Sequence, residues 1–200
     1  MTGGRQLSIY PNDRECIALL KEAGCKSRVM IHCCTVRSVA DEMVKGFDAD
    51  AELVTAGALL HDIGRSVDHT IRHAIIGAGI AESLGLPKEI VEIIRKHIGA
   101  GLDETDIREF NLPVADYIPR TIEEKIVAHA DNLVSDDRVV PHSHSSEKLR
   151  RKGSERGAMK VVRLHSELSA IYGRDLDCLV DVLGEHPEFK GPCSALGKRS

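Results

Sequence analysis

Aromatic side chains are scarce in this sequence of 200 residues, which has no tryptophan, three tyrosines and three phenylalanines. Any core must therefore be built from aliphatic side chains, and the 42% hydrophobic content is sufficient for one. No apolar run approaches the length that spans a bilayer, and the N-terminal stretch MTGGRQLSIYPNDRE lacks the apolar segment of a secretory signal. We therefore expect one globular, cytoplasmic domain over residues 1–200, without a membrane partner.

A paired-cysteine motif is also missing. None of the six cysteines forms a CxxC pair, which argues against a zinc ribbon and against a thioredoxin-like site. Free thiols are the default in the cytosol, and we expect the adjacent Cys33 and Cys34 to be small core-filling residues rather than ligands or a redox pair. The net charge of -4 gives no general attraction to nucleic acid or to an anionic membrane. Self-association into a homodimer is left open.

Helical periodicity dominates the chain, and no convincing alternating strand appears. Capping residues, glycines and prolines predict helices at about 11–24, 27–45, 50–62, 70–84, 87–99, 121–134, 155–172 and 175–184. Residues 99–120 are expected to form a long connection, residues 135–154 a polar mobile loop, and the tail after Pro187 to be irregular. The fold class is therefore all-α, a single-domain helical bundle.

Six polar side chains fall on core-facing stripes or at the end of one: His32, His61, Asp62, His73, His97 and Asp131. A single inward histidine is usually satisfied by a backbone carbonyl, but several helices here each direct an imidazole or carboxylate inward. Imidazoles and carboxylates that are directed into a core need a partner, and a cation would provide one. The C-terminal end of a helix, just before a glycine, also favours a bound cation because the helix dipole is negative there. With no thiolate in the set, Mn, Fe, Co or Ni are favoured over Zn. Six candidate ligands suit one or two divalent ions, and two ions would share Asp62.

The order of these residues resembles the HD superfamily of metal-dependent phosphohydrolases, and LLHDIGR is close to the motif of its HDIG subgroup. The resemblance covers residues from about 27 to 138, which would form the core of an HD-domain bundle with the terminal helices packed on it. His73–Ala78, the segment IIRKH and Glu124–Asp131 are similar to bacterial HD enzymes that cleave diadenosine tetraphosphate symmetrically.

That resemblance implies a first ion held by His32, His61, Asp62 and Asp131, and a second held by Asp62, His73 and His97. The sequence departs from the diadenosine tetraphosphatase pattern at several points. Two arginines, Arg28 and Arg138, are shifted by one position, IGAG follows His97, and residues 142–152 form an unfamiliar basic stretch.

These residues favour hydrolysis of a phosphate ester or anhydride, with a nucleotide as the expected small-molecule partner. Asp62 and Arg65 are the predicted catalytic residues. Arg65, Arg138, Lys148 and Arg151 are the predicted contacts to substrate phosphate. Two other classes stay open: a metal-bearing nucleotide-binding regulatory module with little turnover, and a di-iron oxygenase resembling myo-inositol oxygenase. His69, His129, His142 and His144 are assigned to the surface or to positions behind the ligands, and His165 either lines the pocket or caps a carbonyl.

Overall fold

Helices account for most of the chain between residues 9 and 196, the part that the computed structural model describes. They are α1 (Asp13–Glu22), α2 (Ser27–Met43), α3 (Ala51–Leu60), α4 (His73–Ser83), α5 (Lys88–Lys96), α6 (Glu104–Glu109), α7 (Ile122–Asn132), α8 (His142–Arg151), α9 (Glu155–Tyr172) and α10 (Leu179–Leu183). Short 3₁₀ turns lie at Val44–Gly46, Ile63–Ser66, Leu176–Cys178 and Gly191–Ala195. The expectation of an all-α single domain is confirmed. The domain was predicted to span residues 1–200, of which residues 1–8 and 197–200 lie outside the described part of the chain.

The helix starts follow from side chains that accept hydrogen bonds from free backbone N–H groups. Asn12 caps α1, Asp50 caps α3 and Thr121 caps α7, each accepting from backbone N–H groups of the first turn. Glu124 completes the predicted capping box of α7 by bonding back to the Thr121 N–H at 3.2 Å.

Aliphatic side chains from α2, α3, α5 and α7 form the core, as the scarcity of aromatics requires. Helix α3 runs through its centre, and seven of its ten residues are buried. Val36, Leu59, Ile93 and Val127 represent the four helices, and each is at most 1% exposed. None of the described helices is long and apolar enough to cross a membrane.

Residues 99–120 were predicted as a long connection, and the structure adds a short helix within it that the sequence analysis did not predict. This helix is α6, whose first turn is capped by Asp103 in a capping box with Asp106. Asp106 in turn binds Lys160 of α9 at 2.6 Å, so the connection is fixed to the rest of the bundle.

The mobile loop expected at residues 135–154 is an ordered segment instead. Val134–Ser135 pairs with Arg138–Val139 in a two-stranded antiparallel turn, and α8 follows over His142–Arg151. Helix α8 packs against α9, and its Ser146 is buried. The polarity of this stretch suggested mobility, but one narrow face of a short helix is enough to dock it.

The expectation that all cysteines are free thiols is wrong for one pair. Cys34 of α2 forms a disulfide with Cys193, with the two Cα atoms 5.9 Å apart. The pair joins the tail after Pro187 to the core across 159 residues, a separation that no local spacing rule can reveal. Cys16, Cys25 and Cys33 are buried free thiols, in agreement with the prediction.

We expect four reactive thiols in the unfolded, unreduced protein and six after reduction, as counted with a thiol reagent. Because the bridge closes a long loop, reduction should lower the free energy of unfolding by about 2–4 kcal/mol. Cys34→Ser should reproduce the loss, whereas Cys178→Ser, at a partly exposed free thiol, should not. Six reactive thiols before reduction would show that the bridge is absent.

Candidate metal centre

The His61-Asp62 pair lies where α3 ends and the chain turns sharply into the Ile63–Ser66 3₁₀ turn. Gly64 packs directly on the first turn of α4, where an added Cβ would lie 1.9 Å from the His73 carbonyl oxygen. This close approach requires glycine, and it brings Asp62 within reach of the His73 side chain. The His73 Nε2 atom lies 3.0 Å from Asp62 Oδ1.

Each of four histidines uses its Nδ1 atom to bond to a backbone carbonyl. His61, His73 and His97 bond to the carbonyl three residues earlier, at 2.8, 2.6 and 2.7 Å. His32 bonds to the Asp136 carbonyl at 2.9 Å. Because a carbonyl only accepts, Nδ1 carries a hydrogen, and in the neutral imidazole Nε2 is left with a free lone pair. This arrangement of an imidazole is typical of metal ligands.

The two oxygens of Asp62 face different histidines. Oδ2 lies 3.6 Å from His32 Nε2 and 3.7 Å from His61 Nε2. Oδ1 lies 3.0 Å from His73 Nε2 and 3.6 Å from His97 Nε2. Asp62 therefore stands between two groups of nitrogen donors, one on either side of its carboxylate.

Asp131 completes the first of these two groups. Its Oδ1 atom lies 3.0 Å from His32 Nε2 and 3.7 Å from His61 Nε2. The side chain is partly exposed rather than fully buried, so this side of the group opens toward solvent. In the second group, the Nε2 atoms of His73 and His97 face each other at 3.0 Å. The structure thus brings all six predicted residues together.

Within residues 9–196, several of these donor atoms have no hydrogen-bond partner of acceptable geometry. His61 Nε2 and both Asp62 oxygens are among them, although charged groups surround them. His61 is fully buried and Asp62 is 1% exposed, so water does not compensate. Unsatisfied buried polar atoms are costly, and a shared cation would satisfy them. The donor set of imidazole nitrogens and carboxylate oxygens fits a divalent metal.

The charges of the centre favour ionised carboxylates. Burial alone would raise the pKa of Asp62, but His61, His73 and His97 more than reverse this and hold it well below the ordinary value. The pKa of Asp131 is likewise held low by His32 and His61 against the effect of burial. Burial would lower the pKa of His32, yet Asp131 and Asp62 raise it to about 9.

Helices α5 and α7 are held together by a buried ion pair next to the centre. Lys96 Nζ lies 2.9 Å from Glu124 Oε1 and 3.0 Å from Glu92 Oε2. Asn132 adds a hydrogen bond from Nδ2 to the Gly99 carbonyl at 2.7 Å. These contacts fix the relative position of His97, which follows α5 directly, and Asp131 on α7.

A cleft of about 680 Å³ opens over His32, Asp62 and Asp131. Five cationic side chains line it: Lys26, Arg28, Arg65, Lys148 and Lys152. Arg65 Nε lies 2.5 Å from Asp62 Oδ2, so this arginine contacts the centre itself. A cleft with carboxylates and imidazoles at its floor and cations at its rim suits an anionic ligand bound through metal.

Two of the four predicted phosphate contacts, Arg65 and Lys148, line the cleft, and the other two lie outside its lining. Arg138 is exposed and pairs with Glu185 at 3.1 Å, and Arg151 is on the exposed side of α8. On a helix, Lys148 and Lys152 are one turn apart and face the cleft together, while Arg151 points elsewhere.

Sequence reasoning missed Lys26 as a cleft residue and placed His69 at the surface or behind the ligands. Both line the cleft. Arg28 was noted as a displaced family arginine, and it lines the cleft while pairing with Asp136. Its position four residues before His32, one helical turn away on the same face, was the signal that could have found its place.

Comparison with known proteins agrees with this geometry. Residues 29–136 of the chain match the HD domain family. The chain belongs to this family. The match includes the six candidate ligands of the metal centre, from His32 to Asp131.

Two relatives match this chain over more residues than the family match covers. A tRNA (cytidine(56)-2'-O)-methyltransferase of Picrophilus torridus is 43% identical over 177 residues, which cover 88% of this chain and 52% of that protein. An uncharacterized protein of Methanocaldococcus jannaschii is 46% identical over 123 residues, which cover 59% of this chain and 72% of that protein. The HD chain spans about half the length of the methyltransferase relative.

A solved structure shares the fold. It is the HD domain of the phosphodiesterase PgpH of L. monocytogenes, in complex with cyclic-di-AMP. The TM-score is 0.56 at 19% sequence identity, and the match covers 84% of this chain and 98% of the other. The likeness supports the HD-domain helical bundle as the fold.

Proposed function

We propose that this HD protein is a metal-dependent phosphohydrolase that acts on a nucleotide or another phosphate ester or anhydride. The observation that carries the proposal is the position of Asp62, whose two oxygens face separate groups of histidine nitrogens at 3.0 to 3.7 Å at the floor of a cationic cleft. A carboxylate shared in this way suits two adjacent divalent ions.

His32, His61, Asp62 and Asp131 would hold the first ion, and Asp62, His73 and His97 the second. Divalent ions bound there supply a water of lowered pKa as nucleophile and offset negative charge on the phosphoryl oxygens. Mn, Fe, Co and Ni are favoured over Zn because the donors are imidazoles and carboxylates without a thiolate.

The chain's own contribution is to bind and orient the phosphate. Arg65 is held by its Nε contact to Asp62, which leaves its terminal N–H groups for a phosphate in the cleft. Asp62 is held as a carboxylate by the surrounding histidines, so it can serve as a ligand near neutral pH. Lys26, Lys148 and Lys152 add positive charge at the rim for a substrate with more than one phosphate.

A substrate screen with Mn, Fe, Co and Ni tests the proposal. The panel includes nucleoside monophosphates, diadenosine tetraphosphate, cyclic dinucleotides and short RNA, the last because one relative is named for a tRNA. Metal-dependent release of a phosphate product from at least one substrate is the expected result. Tight nucleotide binding without product would instead indicate a regulatory module. Iron-dependent oxygen uptake would instead indicate an oxygenase.

Lys148→Ala should raise KM about three- to tenfold with little change in kcat, because it removes a rim charge that attracts the substrate without touching the metal ligands. Arg151→Ala is the matched control, since it removes a cation from the same helix outside the cleft lining. Steady-state kinetics on the best substrate of the screen gives both values. Equal changes in KM for Lys148→Ala and Arg151→Ala would show that Lys148 does not contact the substrate.

Metal binding should release protons at pH 7. In the metal-free protein His32 has a pKa of about 9, so it is protonated at neutral pH, yet only the neutral imidazole binds metal. The apparent affinity should therefore rise by up to about tenfold per pH unit and level off above pH 9. Calorimetry in buffers of different ionisation enthalpy measures the released protons. A pH-independent affinity between pH 6 and 8 would contradict this role of His32.

A further inference from the structure

A second cluster of imidazoles and carboxylates lies where α7, α8, α9 and the Leu176–Cys178 turn meet. It consists of His129, His142, His165, Asp175 and Asp177. His129 is two residues from Asp131 on α7, and side chains two positions apart lie about 200° apart around a helix. The cluster is therefore on the other side of α7 from the metal centre.

Sequence reasoning placed His129 at the surface or behind the ligands, and the structure corrects the first of these alternatives. His129 is fully buried, and its Nδ1 atom has no hydrogen-bond partner among the described residues. Its Nε2 atom faces His165 Nδ1 at 3.1 Å. His165 neither lines the cleft nor caps a carbonyl in the hydrogen bonds seen, so the expected roles do not account for this pair.

The carboxylate of Asp175 fixes the tautomer of His165. His165 Nε2 lies 3.1 Å from Asp175 Oδ1, and since a carboxylate only accepts, Nε2 carries the hydrogen. His165 Nδ1 then has a free lone pair, which faces His129 Nε2 and lies 3.9 Å from Asp177 Oδ1. A carboxylate that orients a histidine from behind in this way is common around protein-bound metals.

His142 joins the cluster from the first turn of α8. Its Nδ1 atom lies 2.9 Å from Asp177 Oδ2, and its ring stacks on that of His165 with 3.6 Å between ring centres. One ligand atom from each of His142, His165 and Asp177 lies within 4.8 Å of the others. His142 and Asp177 are partly exposed, which gives an ion a route from solvent.

The distance between His129 Nε2 and His165 Nδ1, 3.1 Å, is close to the 3.0 Å between the Nε2 atoms of His73 and His97 in the metal centre. Two nitrogens that each lie about 2.1 Å from one ion, at an angle of 90–109°, are roughly 3.0–3.4 Å apart. The same separation therefore recurs in a cluster that the metal centre does not include.

We propose that His142, His165 and Asp177, with His129 as a fourth donor, form a separate site for a divalent transition metal. Three nitrogens and one oxygen suit Zn, Co, Ni or Cu. Imidazole lone pairs lie in the ring plane, so the two stacked rings cannot both point at one ion, and the partly exposed His142 turns when the ion binds. The ion fixes the start of α8 against α9, and α8 carries Lys148 of the cleft.

Metal stoichiometry tests this site independently of any enzymatic activity. The protein is equilibrated with Zn²⁺ or Co²⁺ alone, and bound metal is measured by elemental analysis after dialysis. We expect wild type to bind one equivalent more than His142→Ala and one more than Asp177→Asn. The second change keeps the size of the side chain and its backbone contact to α8, so folding is preserved if His142→Ala fails. His144→Ala, on the same helix and outside the cluster, should bind as wild type does.

Co²⁺ absorption gives a second readout, because replacing a nitrogen or oxygen donor changes the visible bands of the bound ion. The spectrum of wild type minus that of Asp177→Asn should show one nitrogen-rich Co²⁺ site. Equal stoichiometry and equal spectra in wild type, His142→Ala and Asp177→Asn would overturn the proposal.

Discussion

Asp62→Asn should lose both ions of the metal centre and lower hydrolysis by roughly 10³-fold or more. The change keeps the shape of the side chain but removes the negative charge and one of the two oxygens that face the histidine groups. Neither group is then complete, because each has Asp62 as a member. Elemental analysis and steady-state rates on the same preparation measure the two losses together.

The control for Asp62→Asn is Asp68→Asn, six residues further along the same turn region. Asp68 bonds to the Thr70 N–H, a contact that an asparagine retains, and it is not among the candidate ligands. It should keep both metal content and rate. His73→Gln should distinguish the two ion sites. Because His73 lies on only one side of Asp62, its loss should lower the occupancy of the second ion alone. Full metal content in Asp62→Asn would show that the carboxylate is not shared.

Gly64→Ala should destabilise the fold by about 3 kcal/mol or more, because an added Cβ meets backbone atoms of α4. It would lie 1.9 Å from the His73 carbonyl oxygen and 2.6 Å from the Gly77 nitrogen, and neither can move as a flexible side chain could. The turn would have to separate from α4, which also moves Asp62 away from His73. Urea unfolding measures the free energy, and metal content reports the second effect.

Gly79→Ala is the matched control on α4 itself. A Cβ added there meets no atom of the described part of the chain within 4 Å, and the position is exposed. Alanine is the better helix former, so this variant should gain up to about 1 kcal/mol. Wild-type stability of Gly64→Ala would contradict the direct packing of Gly64 against the backbone of α4.

The fold could be predicted well where local signals act alone. Asn12, Asp50 and Thr121 mark helix starts by their side chains, and glycines follow the ends of α9 and α10. The elements that escaped prediction depend on distant partners. Helix α8 is docked by α9, the tail is joined to the core by Cys34 and Cys193, and α6 is bound by Lys160. No sequence window contains both members of these pairs.

The candidate site could be predicted further than its surroundings. His32, His73 and Asp131 lie on helices, and His61, Asp62 and His97 directly follow the ends of α3 and α5. Helix periodicity and helix ends can both be read from the sequence, so the convergence of the six candidate ligands could be predicted. The lining of the cleft could not be predicted from the sequence. Lys26, Arg28 and Lys148 meet there only because of how α2 and α8 pack in the tertiary structure, which no local pattern indicates. The pairing of His129 with His165 joins residues 36 positions apart, and nothing near either one indicates it.

Anomalous diffraction from crystals grown with Mn²⁺ tests the shared role of Asp62 most directly. We expect two peaks at the metal centre: one beside Asp62 Oδ2 among His32, His61 and Asp131, the other beside Asp62 Oδ1 next to His73 and His97. A single peak that leaves either oxygen of Asp62 without an ion, or no peak at all in crystals saturated with metal, would contradict that role.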